Sequence, residues 1–222
     1  KLYHLVRNIT LKNKRKLVEQ LSHGAKGTIL DYGCGTGAFL AEMQQAGWKI
    51  TGLELDVKAR ELAQKLNGST VFSPEYISSI PDQQFDCITL WHVLEHVHRL
   101  HPTLKQLNRV MKPGAGILIA VPNYTCNDAK SYGPAWAAWD VPRHLYHFSP
   151  ESMKKLLAAN GFTLTAIHPM WFDSYYVSML SEKYLSGKNN HLRAFFIGLR
   201  SNLKALMNKE RCSSLIYVAV KE

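Results

Sequence analysis

The chain has little cysteine and none of it is paired in a motif. Its four residues, Cys34, Cys87, Cys126 and Cys212, include no two close enough for a CxxC pair, which argues for a reduced, cytoplasmic setting. No apolar run reaches the roughly 18 residues of a membrane span, so the sequence offers no transmembrane helix. No internal repeat or low-complexity stretch appears, and 222 residues suit one large domain or a domain with an insert. The chain opens on Lys with no charged n-region, apolar h-region and cleavage site, which leaves targeting open. Acidic residues are scarce: 17 against 27 Lys and Arg, a net charge of +10. Such a balance suits an anionic partner, whether nucleic acid, lipid or substrate, and equally a generally basic surface.

What is present is concentrated near the N-terminus. The short apolar run Thr28-Ile29-Leu30 ends in Asp31, and Gly33, Gly35 and Gly37 follow at alternate positions. A helix-like stretch from about 37 to 46 leads to a second strand, 49–53, that ends in Glu54, 19 residues after Gly35. Glycines let the backbone turn tightly and let a ligand approach the main chain. An acid at the tip of the second strand is placed to hold ribose hydroxyls. The unit reads as a nucleoside-binding βαβ. Dinucleotide loops run G-x-G-x-x-G, whereas this one runs D-x-G-x-G-x-G, which disfavours a nicotinamide oxidoreductase.

Further strands are expected near 70–73, 86–91, 117–121, 162–168 and 214–220. Helices are expected over 1–22, from Asp56 to Leu66, from Pro102 and from Ser149-Pro150. Strands alternating with helices argue for a mainly parallel sheet covered on both faces. The expected organisation is an N-terminal helical segment, 1–25, and one domain, 26–222, with insertions at about 122–148 and 169–212. In the second insertion Leu192, Phe195, Leu199, Leu203 and Leu206 form an amphipathic stripe that can pack on the core or form a dimer face.

The glycine segment resembles the first motif of the class I S-adenosylmethionine-dependent methyltransferases. Phe85-Asp86, Trp91 to Val97 and Met111 to Gly116 occur in matching order and spacing. The stretch Asp140-Val141-Pro142-Arg143-His144-Leu145-Tyr146-His147-Phe148, with Gly161-Phe162 beyond it, is similar to the type 23 branch, related to the ubiquinone-biosynthesis O-methyltransferases. The resemblance implies an α/β, Rossmann-like, doubly wound, mainly parallel seven-stranded sheet with an antiparallel last strand and helical insertions. It implies S-adenosyl-L-methionine as cofactor, held by Asp31, Tyr32, Gly33, Gly35, Gly37, Glu54, Leu55, Trp91 and His92. Asp31 would lie near the methionine end, Glu54 at the ribose, and Ser73 to Tyr76 near the adenine.

His92-Val93-Leu94-Glu95-His96 also matches the H-x-x-E-H of inverted zinc peptidases, but it follows a strand of a nucleoside-binding fold, and that reading is set aside. In the ubiquinone-type enzymes an acid, two spacers and Glu-His can bind a divalent ion; here His92 replaces the acid, and no metal is assigned. His144 and His92 are the acid–base candidates, since imidazole titrates near neutral pH. Arg143 suits an anionic acceptor, and Trp136, Trp139, Tyr146, Trp171, Tyr175 and Tyr176 suit an aromatic pocket wall, Trp139 and Tyr175 foremost. The expected activity is methyl transfer to a small-molecule acceptor, most simply at oxygen, by a monomer or homodimer. The alternative is an RNA methyltransferase using the basic surface, although no RNA module is visible and the N-P-P-Y tetrapeptide of base-amino methylases is missing after the fourth strand. A non-catalytic scaffold would have no need of Asp31, Gly35 and Glu54 together.

Overall fold

The computed structural model describes residues 2–188 and 190–222, so Lys1 and Asn189 of the expected first helix and second insertion lie outside it. The elements are α1 (Leu2–Leu21), β1 (Thr28–Tyr32), α2 (Ala38–Gln45), β2 (Lys49–Leu53), α3 (Val57–Asn67), β3 (Val71–Phe72), β4 (Phe85–Trp91), α4 (Leu100–Val110), β5 (Met111–Pro122), α5 (Asn127–Tyr132), α6 (Pro150–Ala158), β6 (Phe162–Pro169), α7 (Asp173–Ser186), α8 (His191–Met207) and β7 (Ser214–Lys221). The seven strands form one sheet in the order β3-β2-β1-β4-β5-β7-β6. Strands β1 to β5 run parallel, and β7 lies antiparallel between β5 and β6. The doubly wound sheet with an inverted last strand is therefore present.

Side chains alternate across a strand, so a sheet covered on both faces needs apolar residues at successive positions. Ile29 and Leu30 are both fully buried but belong to opposite layers. On β5, Ile117 and Ile119 join the layer with Leu104 and Leu107 of α4, while Leu118 and Ala120 join that of Val18 of α1 and Phe39 and Met43 of α2. Burying each such large side chain contributes about 1.5–3 kcal/mol. The N-terminal helix is part of this packing: a Cβ at Gly116 would fall 2.0 Å from Leu21 Cδ2.

Two local expectations change. Pro113-Gly114 does not turn into a strand starting at 117; Phe85 pairs with Met111 but Cys87 with Gly116, so the dipeptide sits in a bulge within β5. Pro102 is the third residue of α4 rather than its first, which costs nothing in a first turn, where amides have no intrahelical acceptor. Asp56 caps α3 as expected, accepting from the Ala59 amide at 2.7 Å.

The two insertions rise together at the C-terminal ends of the parallel strands. A buried carboxylate joins them. Asp128, fully buried in α5, accepts from Trp136 Nε1 at 2.9 Å, from Ser201 Oγ of α8 at 2.6 Å and from Ser213 Oγ at 2.7 Å. Three donors around one ion satisfy it without a countercharge.

Candidate active site

The turn after β1 is shaped by close packing on one side and open space on the other. Gly37 has φ +79°, and a Cβ there would lie 2.3 Å from Asn67 Nδ2 and 2.9 Å from Ala63 Cα. Gly35 has φ +54° with nothing within 4 Å of its Cβ position, so its bare backbone is free for a ligand to approach. Its amide donates to Glu54 Oε2 at 2.7 Å, and the Asp56 amide donates to Glu54 Oε1 at 3.0 Å. Each carboxylate oxygen keeps a further lone pair for a ligand hydroxyl.

A cavity of about 530 Å³ opens at the ends of β1, β2 and β4. Of the nine expected cofactor residues, Tyr32, Gly33, Glu54, Leu55, Trp91 and His92 line it, together with Pro74 and Glu75 from the segment expected near the adenine. Asp31, Gly35 and Gly37 do not. Asp31 is 1% exposed, accepts from Thr89 Oγ1 at 2.6 Å, and burial pushes its carboxyl up to about 7. Close to it, Lys14 places its Nζ 4.2 Å from the centroid of the Trp91 ring, and burial lowers its pKa. Lys14 looks like any basic residue of an amphipathic helix; only the folding of α1 over the sheet brings it to the site.

A second cavity, about 410 Å³, lies between the end of β4, the first insertion and α7. His92 lines both cavities. Its φ of +58° turns the chain out of the sheet. Its Nε2 is 3.1 Å from Asp173 Oδ2 and its Nδ1 3.5 Å from Glu95 Oε1. Burial opposes the charge, but the neighbouring carboxylates of Asp173 and Glu95 outweigh it and raise the imidazole to about 9. His92 thus sits between two carboxylates that favour its charged form, which suits a cation better than a general base.

His144 is its opposite. Its Nδ1 faces the Ala138 carbonyl at 2.8 Å and must donate there, which leaves Nε2 as the acceptor in the neutral ring. Burial lowers its pKa, so the neutral form prevails at pH 7. The backbone holds it in place: the amides of Leu145 and Tyr146 both donate to the Glu95 carbonyl, at 2.8 and 3.3 Å. His96 is similarly oriented by the Arg143 carbonyl, 2.9 Å from its Nδ1. Glu95, His96 and His144 each present one ligand atom within 4.8 Å of the others. The sequence trio of His92, Glu95 and His96 is thereby redrawn, because Asp173 and Glu95 occupy His92 and His144 takes the third corner. One carboxylate and two imidazoles suit an ion softer than magnesium.

The expected acceptor residues divide. Arg143 lines the second cavity and pairs with Asp140 at 2.7 Å. Trp139 and Tyr175 do not line it. Trp139 packs edge-on against Trp136 and His147, and Tyr175 stacks on Phe195 at 5.6 Å. The apolar wall is the expected Tyr176 together with Val177, Leu180 and Tyr184 of α7. For Leu180 and Tyr184 the available signal was their spacing of four and eight residues from Tyr176, since such residues share one helix face.

A family model described as a methyltransferase domain matches residues 6–167. The malonyl-[acyl-carrier protein] O-methyltransferase of Erwinia pyrifoliae is 27% identical over 162 residues, covering 69% of this chain and 61% of that protein. The ubiquinone biosynthesis O-methyltransferase of Idiomarina loihiensis is 25% identical over 168 residues, 70% of this chain and 69% of that one. The chain therefore spans about three fifths of the first relative's length. Among solved structures, a SAM-dependent methyltransferase from Archaeoglobus fulgidus aligns over 100% of both chains with a TM-score of 0.66 and 19% identity, a likeness of fold.

Proposed function

This chain belongs to the methyltransferase-domain family whose model spans residues 6–167, S-adenosyl-L-methionine is its methyl donor, and on that premise we propose that it methylates an oxygen of a small-molecule acceptor seated in the second cavity. The observation that carries this reading is the shared wall. His92 lines the donor-side cavity and the acceptor-side cavity alike, so molecules in the two would meet across it.

The donor-side residues fit the cofactor. Glu54 offers free lone pairs to ribose hydroxyls, Gly35 leaves room at the turn, and the buried Trp91 Nε1 has no partner among the described residues. When bound, S-adenosyl-L-methionine supplies a methyl group on a positively charged sulfur, already activated for displacement by an oxygen nucleophile. The protein then has to align and to handle one proton. Alignment can supply roughly 7–11 kcal/mol of the barrier. His144 Nε2 takes the acceptor's hydroxyl proton, being neutral and oriented by Ala138. His92, held charged by Asp173, stabilises negative charge that develops on the acceptor oxygen. Val177 and Leu180 exclude water from one side of the acceptor cavity.

The test is calorimetry with S-adenosylhomocysteine followed by a methyl-release assay over hydroxylated acceptors, amines and RNA. Binding of the product together with turnover of a hydroxylated small molecule is the expected result. Turnover of RNA or amines alone would overturn the oxygen assignment.

A further inference from the structure

The α7–α8 hairpin is built inside out. α7 buries Ser174, Ser178 and Ser181, and α8 buries Ala194, Gly198, Ser201, Asn202 and Ala205. The large apolar residues face outward. Leu192, Phe195, Phe196, Leu203, Leu206 and Met207 are 50 to 91% exposed, and Tyr176, Tyr184 and Leu185 of α7 are 47 to 61% exposed. The amphipathic stripe expected to cover the core or pair with a second copy thus presents four of its five members, all but the half-buried Leu199, to the outside. A helix lying on a soluble domain shows the reverse, apolar side in and polar side out.

The inner face follows the rules of helices surrounded by lipid, where small residues let backbones approach and polar side chains bridge them. A Cβ at Gly198 would lie 2.8 Å from Tyr175 Cδ1 and 3.2 Å from the Ser174 carbonyl. Ser174 Oγ donates to Asn202 Oδ1 at 3.0 Å. No described helix is long and apolar enough to cross a membrane, so the hairpin has the length and composition to lie along a surface.

Charge decides what that surface is. Between 183 and 211 the sequence carries seven Lys and Arg and one acid, Glu210. A second copy of the same face would set these like charges against one another. RNA would pair with the cations and stack on Phe195 and Phe196, but it would leave Leu192, Leu203, Leu206 and Met207 uncovered. An anionic bilayer takes both, the aliphatic side chains into the headgroup–acyl boundary and the cations to the phosphates. We propose that the α7–α8 hairpin docks this protein on the surface of an anionic lipid bilayer. Tyr176 and Tyr184 of the same hairpin are exposed and line the acceptor cavity, so docking brings that cavity near the lipid.

Co-sedimentation of the full chain, without cofactor, with vesicles of phosphatidylcholine containing roughly a third phosphatidylglycerol tests this. The wild type should sediment with these vesicles and far less with pure phosphatidylcholine. The variant Phe196→Ser, Leu203→Ser, Leu206→Ser should bind at least about tenfold more weakly, with an unchanged melting temperature and unchanged affinity for S-adenosylhomocysteine. The variant Arg200→Gln, Lys204→Gln should bind more weakly and with less salt dependence. Absence of wild-type binding, or equal binding by the serine variant, would overturn the proposal. So would a dimer or an RNA complex that the serine variant abolishes while vesicles go unbound. Because vesicle binding is read without cofactor, none of these results bears on the methyl-transfer reading.

Discussion

Replacing His144 with Gln isolates the proton-handling role. Gln is uncharged and of similar size, and it lacks the basic lone pair of the imidazole. A positioned base contributes roughly 10²–10⁴-fold, which corresponds to about 3–5 kcal/mol of barrier. Turnover should fall by that factor in a methyl-release assay, with affinity for S-adenosylhomocysteine within about twofold of wild type because His144 does not line the donor-side cavity. The pH profile supplies a second readout. Burial lowers the His144 pKa below its ordinary 6.5, so the neutral, proton-accepting form exists above that lowered value and disappears as pH falls through it. Wild-type turnover should therefore drop on the acid side below that point, and the Gln variant should lack this limb. Full activity in His144→Gln, or an unchanged acid limb, would refute the assignment. So would loss of wild-type activity on chelation with recovery on adding a divalent ion, because His144 Nε2 would then be a ligand alongside Glu95 and His96.

Glu54→Ala should weaken S-adenosylhomocysteine about 10- to 100-fold by calorimetry, matching lost hydrogen bonds to a charged group, and unchanged affinity would remove Glu54 from the ribose. Asp128→Leu leaves the Trp136, Ser201 and Ser213 donors orphaned in a dry interior and should cost about 3–6 kcal/mol in urea unfolding; Asp128→Asn should cost less, since the Ser201 hydroxyl can turn from donor to acceptor. A loss under about 1 kcal/mol in the Leu variant would show that the carboxylate does not hold the insertions together. The raised pKa of His92 stabilises the fold fully below about pH 6.5 and loses that contribution as pH rises toward 9. Asp173→Asn should flatten the decline in melting temperature over that window, and parallel curves would reject the ion pair as its source.

The donor side was legible because its signals are local. Strand, glycine turn, helix, strand and acid fall within Thr28 to Glu54, and each requirement is met by backbone conformation or by a residue at a strand tip. The acceptor side depends on contacts between distant residues, and spacing carries little of that. His92 looked like a base until Asp173, 81 positions away, was found beside its Nε2. Trp139 and Tyr175 looked like pocket walls because aromatic composition does not tell which face of a turn or helix looks inward; packing on Trp136 and Phe195 took them up. Asp128 gave no signal, since its partners Ser201 and Ser213 are 73 and 85 residues away. The stripe on α8 was seen, but its direction was not. Periodicity shows that a helix has two faces, and the small residues Ala194, Gly198 and Ala205 decide which one the protein keeps for itself.

The Glu95 carbonyl, which receives the Leu145 and Tyr146 amides, moors His144, the proposed proton acceptor, through main chain alone. The opposite wall, by contrast, consists of side chains on α7. Exchanging Val177, Leu180 or Tyr184 would reshape the compartment while the mooring stayed put. New acceptors can thus be tried, by an engineer or by drift, without rebuilding the chemistry that serves them.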